Sequence, residues 1–309
     1  MLKIKESNPA KPVRIMVYGP EGVGKSTLGA KSDSPIFISP EGGTDQLTDA
    51  QGSPVKSIAD VNTWDDVISS LNSLMNEKHE FKTLVLDSAD WIEKLAHQKI
   101  IGESGKDIIR ANGGYGAGYR QSENMHKHLI ELLAQLREKK NMNIVIIAHT
   151  HVRPVKDPEM LEQYDSFEIK CHEFVSSLYR EWVDGLFFVR FNTFLKTDES
   201  GKSKALTDGS RTLYTVKKPA FQAKNRYGMP ESIEFTLDAW KTISQYAKKG
   251  IVQETSEMIY FEIQEMLKVA PEDIKQKAIE NTEKNKSNKK QLVAIRDRLK
   301  TIGESKHAN

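Results

Sequence analysis

A single cysteine, Cys171, occurs among the 309 residues, so no disulfide can form within the chain and a reducing setting is expected. No apolar run is long enough to span a bilayer, and no charged-then-apolar leader is read ahead of the first apolar segment. Neither sign of charge dominates: 45 basic and 43 acidic residues leave a net +2, so any footprint for a polyanion must be a local patch. No repeat of solenoid period is visible. These absences predict a cytoplasmic chain, off the membrane, with enough residues for one large core and an appendage.

The informative stretch lies near the start. Gly19-Pro20-Glu21-Gly22-Val23-Gly24-Lys25-Ser26 meets the pattern G-x-x-x-x-G-K-[ST] at every specified position. The apolar run from Val13 to Tyr18 ahead of it predicts a buried strand, and Lys25 to Ala30 predicts the opening of a helix. In this context glycines let backbone N–H groups turn onto phosphates, and the helix end adds its positive dipole. Lys25 adds a full charge, and the Ser26 hydroxyl is placed to ligate a Mg²⁺ bridging the phosphates. The pattern names ATP and Mg²⁺ as cofactors and residues Gly19 through Thr27 as the binding loop; an ordinary glycine-rich turn is the plain alternative.

Apolar runs at Val13–Tyr18, Pro35–Ser39, Thr83–Asp87, Asn143–Ala148 and Gly185–Phe191 alternate with helical patterns at Trp64–Met75, Asp90–Ile101 and Tyr119–Lys140. That alternation predicts an α/β fold with a mostly parallel central sheet flanked by helices. Phe187–Phe194, a turn at Glu199-Ser200-Gly201-Lys202 and Arg211–Val216 predict an antiparallel hairpin closing one edge. Helix resumes at Leu237–Lys248. Beyond it the composition turns strongly charged, so we divide the chain into a core at 1–249 and a charged helical appendage at 250–309, its polar middle at Glu280–Lys290 read as poorly ordered.

Leu84-Val85-Leu86-Asp87 is an apolar strand ending in a carboxylate, the arrangement that places Asp87 beside the phosphates to hold Mg²⁺. Ser88 follows, so a base must come from elsewhere. Glu41 lies just past another strand end and is the candidate to deprotonate an attacking water, with Asp90 in reserve; a solvated loop glutamate is the alternative. His149 ends the strand Ile144–Ala148 and is a candidate sensor of the γ-phosphate. A zinc site made from His149, His151, Cys171 and His172 is the rival reading, though its spacings fit no standard ligand pattern.

The order of the phosphate loop, Phe37-Ile38-Ser39-Pro40-Glu41, Leu84-Val85-Leu86-Asp87-Ser88 and Ile146-Ile147-Ala148-His149 resembles the RecA-like recombinase core. Gly19–Ser26, Pro40-Glu41-Gly42-Gly43-Thr44 and Lys224-Asn225-Arg226-Tyr227-Gly228 further resemble phage P-loop ATPases that act as RecA-like single-strand annealing proteins. The resemblance spans roughly residues 10–248. It implies a RecA-like fold, ATP hydrolysis with Glu41 as catalytic base, and a histidine at 149 where recombinases commonly carry glutamine. It also implies single-stranded DNA as partner, annealing or pairing in phage recombination within the host cytoplasm, and a homo-oligomeric ring or filament. A single-strand-binding protein is a further candidate partner. ATP would lie between protomers, with Lys217, Lys218, Lys224 or Arg226 entering from the neighbour and Arg226 as first choice; a solvated basic edge is the alternative.

Two loops are candidates for DNA. The first, Gly102–Gly118, leads into the long helix and offers Arg110, Tyr115, Tyr119 and Arg120, with aromatic faces to stack on bases and guanidinium groups for phosphates; a flexible connector is the plain reading. The second, running from Val152 to Lys170, offers Arg153 and Lys156, though acidic residues share it. The basic run Lys284–Lys290 is given no role. Two other function classes stand beside the leading one: a nucleotide-switched interaction protein for a replication or packaging partner, and a small-molecule kinase, for which no arginine-rich lid is evident.

Overall fold

The computed structural model describes residues 11–158, 162–197, 203–249, 256–270 and 272–306. Its elements are β1 (Arg14–Tyr18), α1 (Lys25–Ala30), β2 (Pro35–Ile38), β3 (Lys56–Ser57), α2 (Trp64–Asn76), β4 (Thr83–Asp87), α3 (Ala89–Ser104), α4 (Ala117–Lys139), β5 (Asn143–Ala148), β6 (Thr150–Val155) and β7 (Tyr164–Ile169). There follow α5 (Glu173–Trp182), β8 (Gly185–Phe191), β9 (Phe194–Thr197), β10 (Ser203–Leu206), β11 (Arg211–Tyr214), β12 (Lys224–Asn225), β13 (Ser232–Glu234), α6 (Ala239–Lys249), α7 (Ser256–Val269), α8 (Glu272–Lys284) and α9 (Lys289–Lys306).

Strands that are apolar at every position need cover on both faces, and both faces are covered. Met16, Tyr18, Leu84, Leu86, Ile144 and Ile146 point to one side, against Val67 and Leu71 of α2, Ile92 of α3, Leu129 and Leu133 of α4, and Tyr179 of α5. The residues between them, Ile15, Val17, Val85, Val145 and Ile147, point to the other side, against Leu28 of α1 and Trp240 and Ile243 of α6. Period-two alternation thus divides one apolar run between two cores. A Cβ on Gly29 would sit 2.7 Å from a Val85 methyl, so the small residue lets α1 lie close on the sheet.

The sheet order is β13-β11-β8-β1-β5-β4-β2-β3, with β12 also paired to β8. From β8 to β3 the pairing is parallel, and β11, β12 and β13 add antiparallel pairs at one edge. The α/β, mostly parallel reading therefore stands, and the expected edge hairpin is the pairing of β8 with β11, from Phe188↔Tyr214 to Phe191↔Arg211. Between those two strands, β9 and β10 form a ribbon of their own; the turn expected at Glu199–Lys202 lies outside the described residues. One expectation fails: the stretch after His149 is not a loop. β6 and β7 pair antiparallel from Thr150↔Ile169 to Val155↔Tyr164, where the β-branched and aromatic cross-strand pairs Val152↔Phe167 and Val155↔Tyr164 support a ribbon despite Pro154.

The chain divides into two compact units, Met1–Gly250 and Ile251–Asn309. In the second, α7, α8 and α9 bury Ile259, Ile263, Leu267, Ala278, Leu292 and Leu299 against one another. Its polar middle is not poorly ordered throughout as expected, since Glu280–Lys284 is the last part of α8. Ala278 and Thr282 turn inward there while the charged side chains face solvent. No helix of the described residues is long and apolar enough to cross a membrane.

Candidate nucleotide site

The carboxyl ends of parallel strands are where α/β sheets bind ligands, and four strand ends meet here. Beyond β1 comes the loop Gly19–Lys25, beyond β2 Glu41, at the end of β4 Asp87, and beyond β5 His149. Gly22, Gly24, Lys25, Ser26, Thr27, Glu41, Gly42, Gly43, Asp87 and His149 line one cleft of about 470 Å³, within the usual range for small-ligand sites.

The loop is fixed by close approaches that only glycine permits. A Cβ on Gly19 would lie 2.1 Å from the Val189 carbonyl oxygen of β8. Gly24, at φ 101°, is left-handed directly before α1, and a Cβ there would lie 2.7 Å from Arg211. Arg211 is a support that the motif did not reveal. Its guanidinium donates to the Val23 carbonyl at 3.1 Å and stacks 5.6 Å from the Phe235 ring centre, bracing the loop from behind. The only sequence signal was a cation at the start of a short strand, which is indistinguishable from a solvated one.

Lys25 donates to the carbonyls of Gly19 at 2.9 Å and Pro20 at 2.8 Å. Burial lowers its pKa, with Asp87, Asp90, Glu21 and Glu41 working the other way. Burial likewise raises Asp87, opposed chiefly by a hydrogen bond from Ser26. Carboxylates thus outnumber the one ammonium around this cleft. A bare polyanion would be repelled, whereas a triphosphate carried with a divalent cation complements the charges, so the residues fit both ATP and Mg²⁺. The two residues expected at Mg²⁺, Ser26 and Asp87, are the pair already joined by a hydrogen bond.

His149 holds Asp90 twice: its amide N–H donates to Oδ1 at 3.1 Å, and Nδ1 pairs with Oδ2 at 3.0 Å. That hydrogen bond raises the His149 pKa against the effect of burial. Burial pushes Asp90 up, but the His149 ring and amide outweigh it and hold the carboxyl below its ordinary value. Asp90, the reserve base, is therefore engaged as an anchor, and Glu41 is the exposed carboxylate at the cleft. Among the described residues no group of three or more His, Cys, Asp or Glu side chains is arranged to hold a metal ion. The rival zinc set is dispersed: His149 is on Asp90, Cys171 is buried beside Glu93, and His172 stacks on Tyr119 at 4.0 Å.

The remaining candidates lie apart from the cleft. Arg226 donates to Asp184 at 3.2 Å beside Arg14, at the amino end of β8 and β1. Lys224 donates to the carbonyls of Arg180 and Glu181 at the end of α5, and Lys218 lies over the Tyr214 ring. In the first loop, α3 continues to Ser104 and α4 starts at Ala117, with a short 3-10 turn at Ala111–Gly113 between them. The Arg110 side chain is 81% exposed and lies 3.7 Å from Asp107. Tyr119 does not present a free ring as expected, because His172 covers one face and His97 meets its edge. Arg120 lies over Phe174. Arg153 and Lys156 are exposed on and just past β6.

A family model described as an AAA domain matches residues 11–227. The chain belongs to the AAA domain family. As an AAA domain it is a nucleotide-binding P-loop protein, and the matched span takes in the phosphate loop, Glu41, Asp87 and His149. Among solved structures this AAA domain is similar to one titled as the crystal structure of the RadB recombinase, at 16% identity and a TM-score of 0.38, over 74% of this chain and 89% of that one. No curated protein matches the chain.

Proposed function

We propose that this AAA domain protein hydrolyses ATP with Mg²⁺ and binds single-stranded DNA, promoting annealing or pairing of strands in phage recombination. The observation that carries the catalytic half is the convergence of Lys25, Ser26, Glu41, Asp87 and His149 on one cleft from four strand ends. Mg²⁺ held by Ser26 and Asp87 would supply the positive charge that offsets the phosphates. Lys25 exchanges its two carbonyl partners for phosphate oxygens. Glu41 orients the attacking water and takes its proton. Asp90 fixes the imidazole of His149 through Nδ1, leaving Nε2 as the ring's other polar atom, and so sets where the sensor stands beside the γ-phosphate.

The DNA half is supported by the backbone of the first loop. From Asn112 to Gly116 every residue has positive φ, including Asn112 at 53° and Tyr115 at 51°, and Tyr115 is fully exposed. A bulky residue held left-handed with its ring wholly in solvent is a strained, costly arrangement, of the kind found at binding sites. Arg110 stands in the same loop, and Arg153 and Lys156 supply further exposed cations. The motif resemblance supports a homo-oligomer, ring or filament, and Arg226, remote from its own cleft, would serve a neighbour's nucleotide. Action in the host cytoplasm rests on the same resemblance, and a single-strand-binding protein is a further partner, for the C-terminal appendage.

The test is ATP turnover with and without single-stranded DNA, alongside DNA binding at low salt in each nucleotide state. Stimulated turnover with saturable binding is expected; no Mg²⁺-dependent ATP uptake overturns the catalytic half, and no DNA binding in any state overturns the other. Tyr115→Ala should weaken DNA binding by about 1–3 kcal/mol and leave thermal stability within about 0.5 kcal/mol. Light scattering with a non-hydrolysable analogue separates self-assembly from a nucleotide-switched contact with another protein.

A further inference from the structure

α3 carries Asp90, Glu93 and His97 at helical spacings that set them along one face. The β6–β7 hairpin leaves the sheet directly after His149 and returns directly before Lys170, Cys171 and His172. Its entry is held by Asp90, through the ring and amide of His149. Its exit is held by Glu93, whose two oxygens both accept from the His172 amide N–H at 3.0 Å and which also takes the Cys171 thiol as a hydrogen-bond partner. A bond from the Lys170 N–H to the His149 carbonyl at 2.9 Å closes the base between them.

We propose that Asp90 and Glu93, one turn apart on α3, latch the two ends of the β6–β7 hairpin to the helix, and that Glu93 is the releasable half, a positioning residue for the hairpin. The two latches differ in surroundings. Asp90 meets a histidine that shares its charge. Glu93 is 6% exposed and faces Asp90 and His97 on its own helix, Cys171 and His172 beyond β7, Tyr179 from α5, and Arg153 from β6, which partly offsets its charge. Tyr119 of α4 closes this side by stacking on His172.

Burial, with Asp90 adding to it, outweighs the His172 N–H, the Cys171 thiol and Arg153, which favour the ionised form, and raises the Glu93 carboxyl from its ordinary 4.5 to about 7. The neutral carboxyl has a waiting acceptor: His97 Nε2 is buried without a hydrogen-bond partner among the described residues, 4.0 Å from Glu93 Oε1. Burial lowers His97 to about 4, which keeps its ring neutral at that point. A group held protonated when docked and ionised when solvated favours docking at low pH, and docking is lost as pH rises from 4.5 to about 7. Release of the hairpin exit therefore becomes easier up to neutrality and levels off above it.

Native-state hydrogen exchange of the full chain, corrected for intrinsic rates, tests this on the amides of 170–174, with 144–147 in β5 as the internal reference. Between pH 5 and 7 the opening of 170–174 should increase by about five- to sevenfold per pH unit, as one proton held to about 7 when docked and to 4.5 when released requires, while the β5 reference stays level. Glu93→Gln, neutral and of the same shape, should abolish that slope; Glu93→Ala should open the exit at every pH. A level profile in the native chain, or an unchanged slope in Glu93→Gln, overturns the proposal. Because Cys171 is the chain's one thiol, its alkylation gives a second measure. At pH 8 the native chain should react at least about tenfold faster than Glu93→Gln, and equal rates at that pH overturn the proposal.

Discussion

The two ends of the central sheet hold aspartates in opposite circumstances. At the amino ends, Asp184 accepts a paired contact from Arg14 at 2.8 Å and further contacts from Arg226 at 3.2 Å and Arg137 at 3.4 Å. Burial would raise it, but these guanidinium groups prevail and hold the carboxyl below its ordinary value. At the carboxyl ends, Asp87 is more deeply buried, its one direct hydrogen-bond partner among the described residues is the Ser26 hydroxyl, and it is raised. One end is electrostatically complete within the chain; the other is complete only with something from outside. The same residue type is a fastening where its charge is matched and a binding group where it is not.

That contrast can be broken first at the cleft. Lys25→Ala should lower kcat/KM for ATP by about 10³-fold or more, and Glu41→Gln should lower kcat by about 10²–10⁴-fold with ATP binding retained; equal turnover in either variant would separate the residue from the chemistry. Next in size, Asp184→Asn should cost on the order of 2–4 kcal/mol of folding stability, since three guanidinium groups lose their partner. Denaturant melts should also show the native contribution present above pH 3.8 and lost as pH falls through the depressed value. Gly24→Ala, forced left-handed against Arg211, should cost about 1–2 kcal/mol. The smallest and sharpest comparison is Asp87→Asn, which should leave stability unchanged or raise it by up to about 1 kcal/mol while abolishing Mg²⁺-dependent nucleotide binding. The native Asp87 contribution runs opposite to that of Asp184: stability is present below pH 3.8 and declines as pH rises through the elevated value. The same sign for both Asp→Asn variants would remove the distinction between the two ends.

Much of this was readable from the chain. Strands such as Ile144–Ala148 announce themselves because burial on both faces leaves no polar position, and the phosphate loop because its glycines and lysine serve contacts no other residues make. The β6–β7 ribbon was missed because β6 turns Val152, Arg153 and Pro154 to solvent, and with Lys156 just beyond it this reads in the sequence as a loop, although Phe167 and Ile169 of β7 pack on the main core. Helical spacing could place Asp90 and Glu93 on one face, but their partners lie 59 and 79 residues away, and no local pattern encodes that. Tyr119 was likewise legible as an aromatic near glycines, while the His172 ring that covers it arrives from a distant turn. In the second unit, a run of charge concealed the inward turn of Ala278 and Thr282.

The resting posture of Lys25 has a kinetic corollary. Its ammonium is spoken for by two oxygens of the very loop that must receive the ligand, so an arriving triphosphate has to outcompete an internal tether before it is fully gripped. Association should accordingly proceed in two phases, a concentration-dependent encounter followed by a rearrangement whose rate saturates.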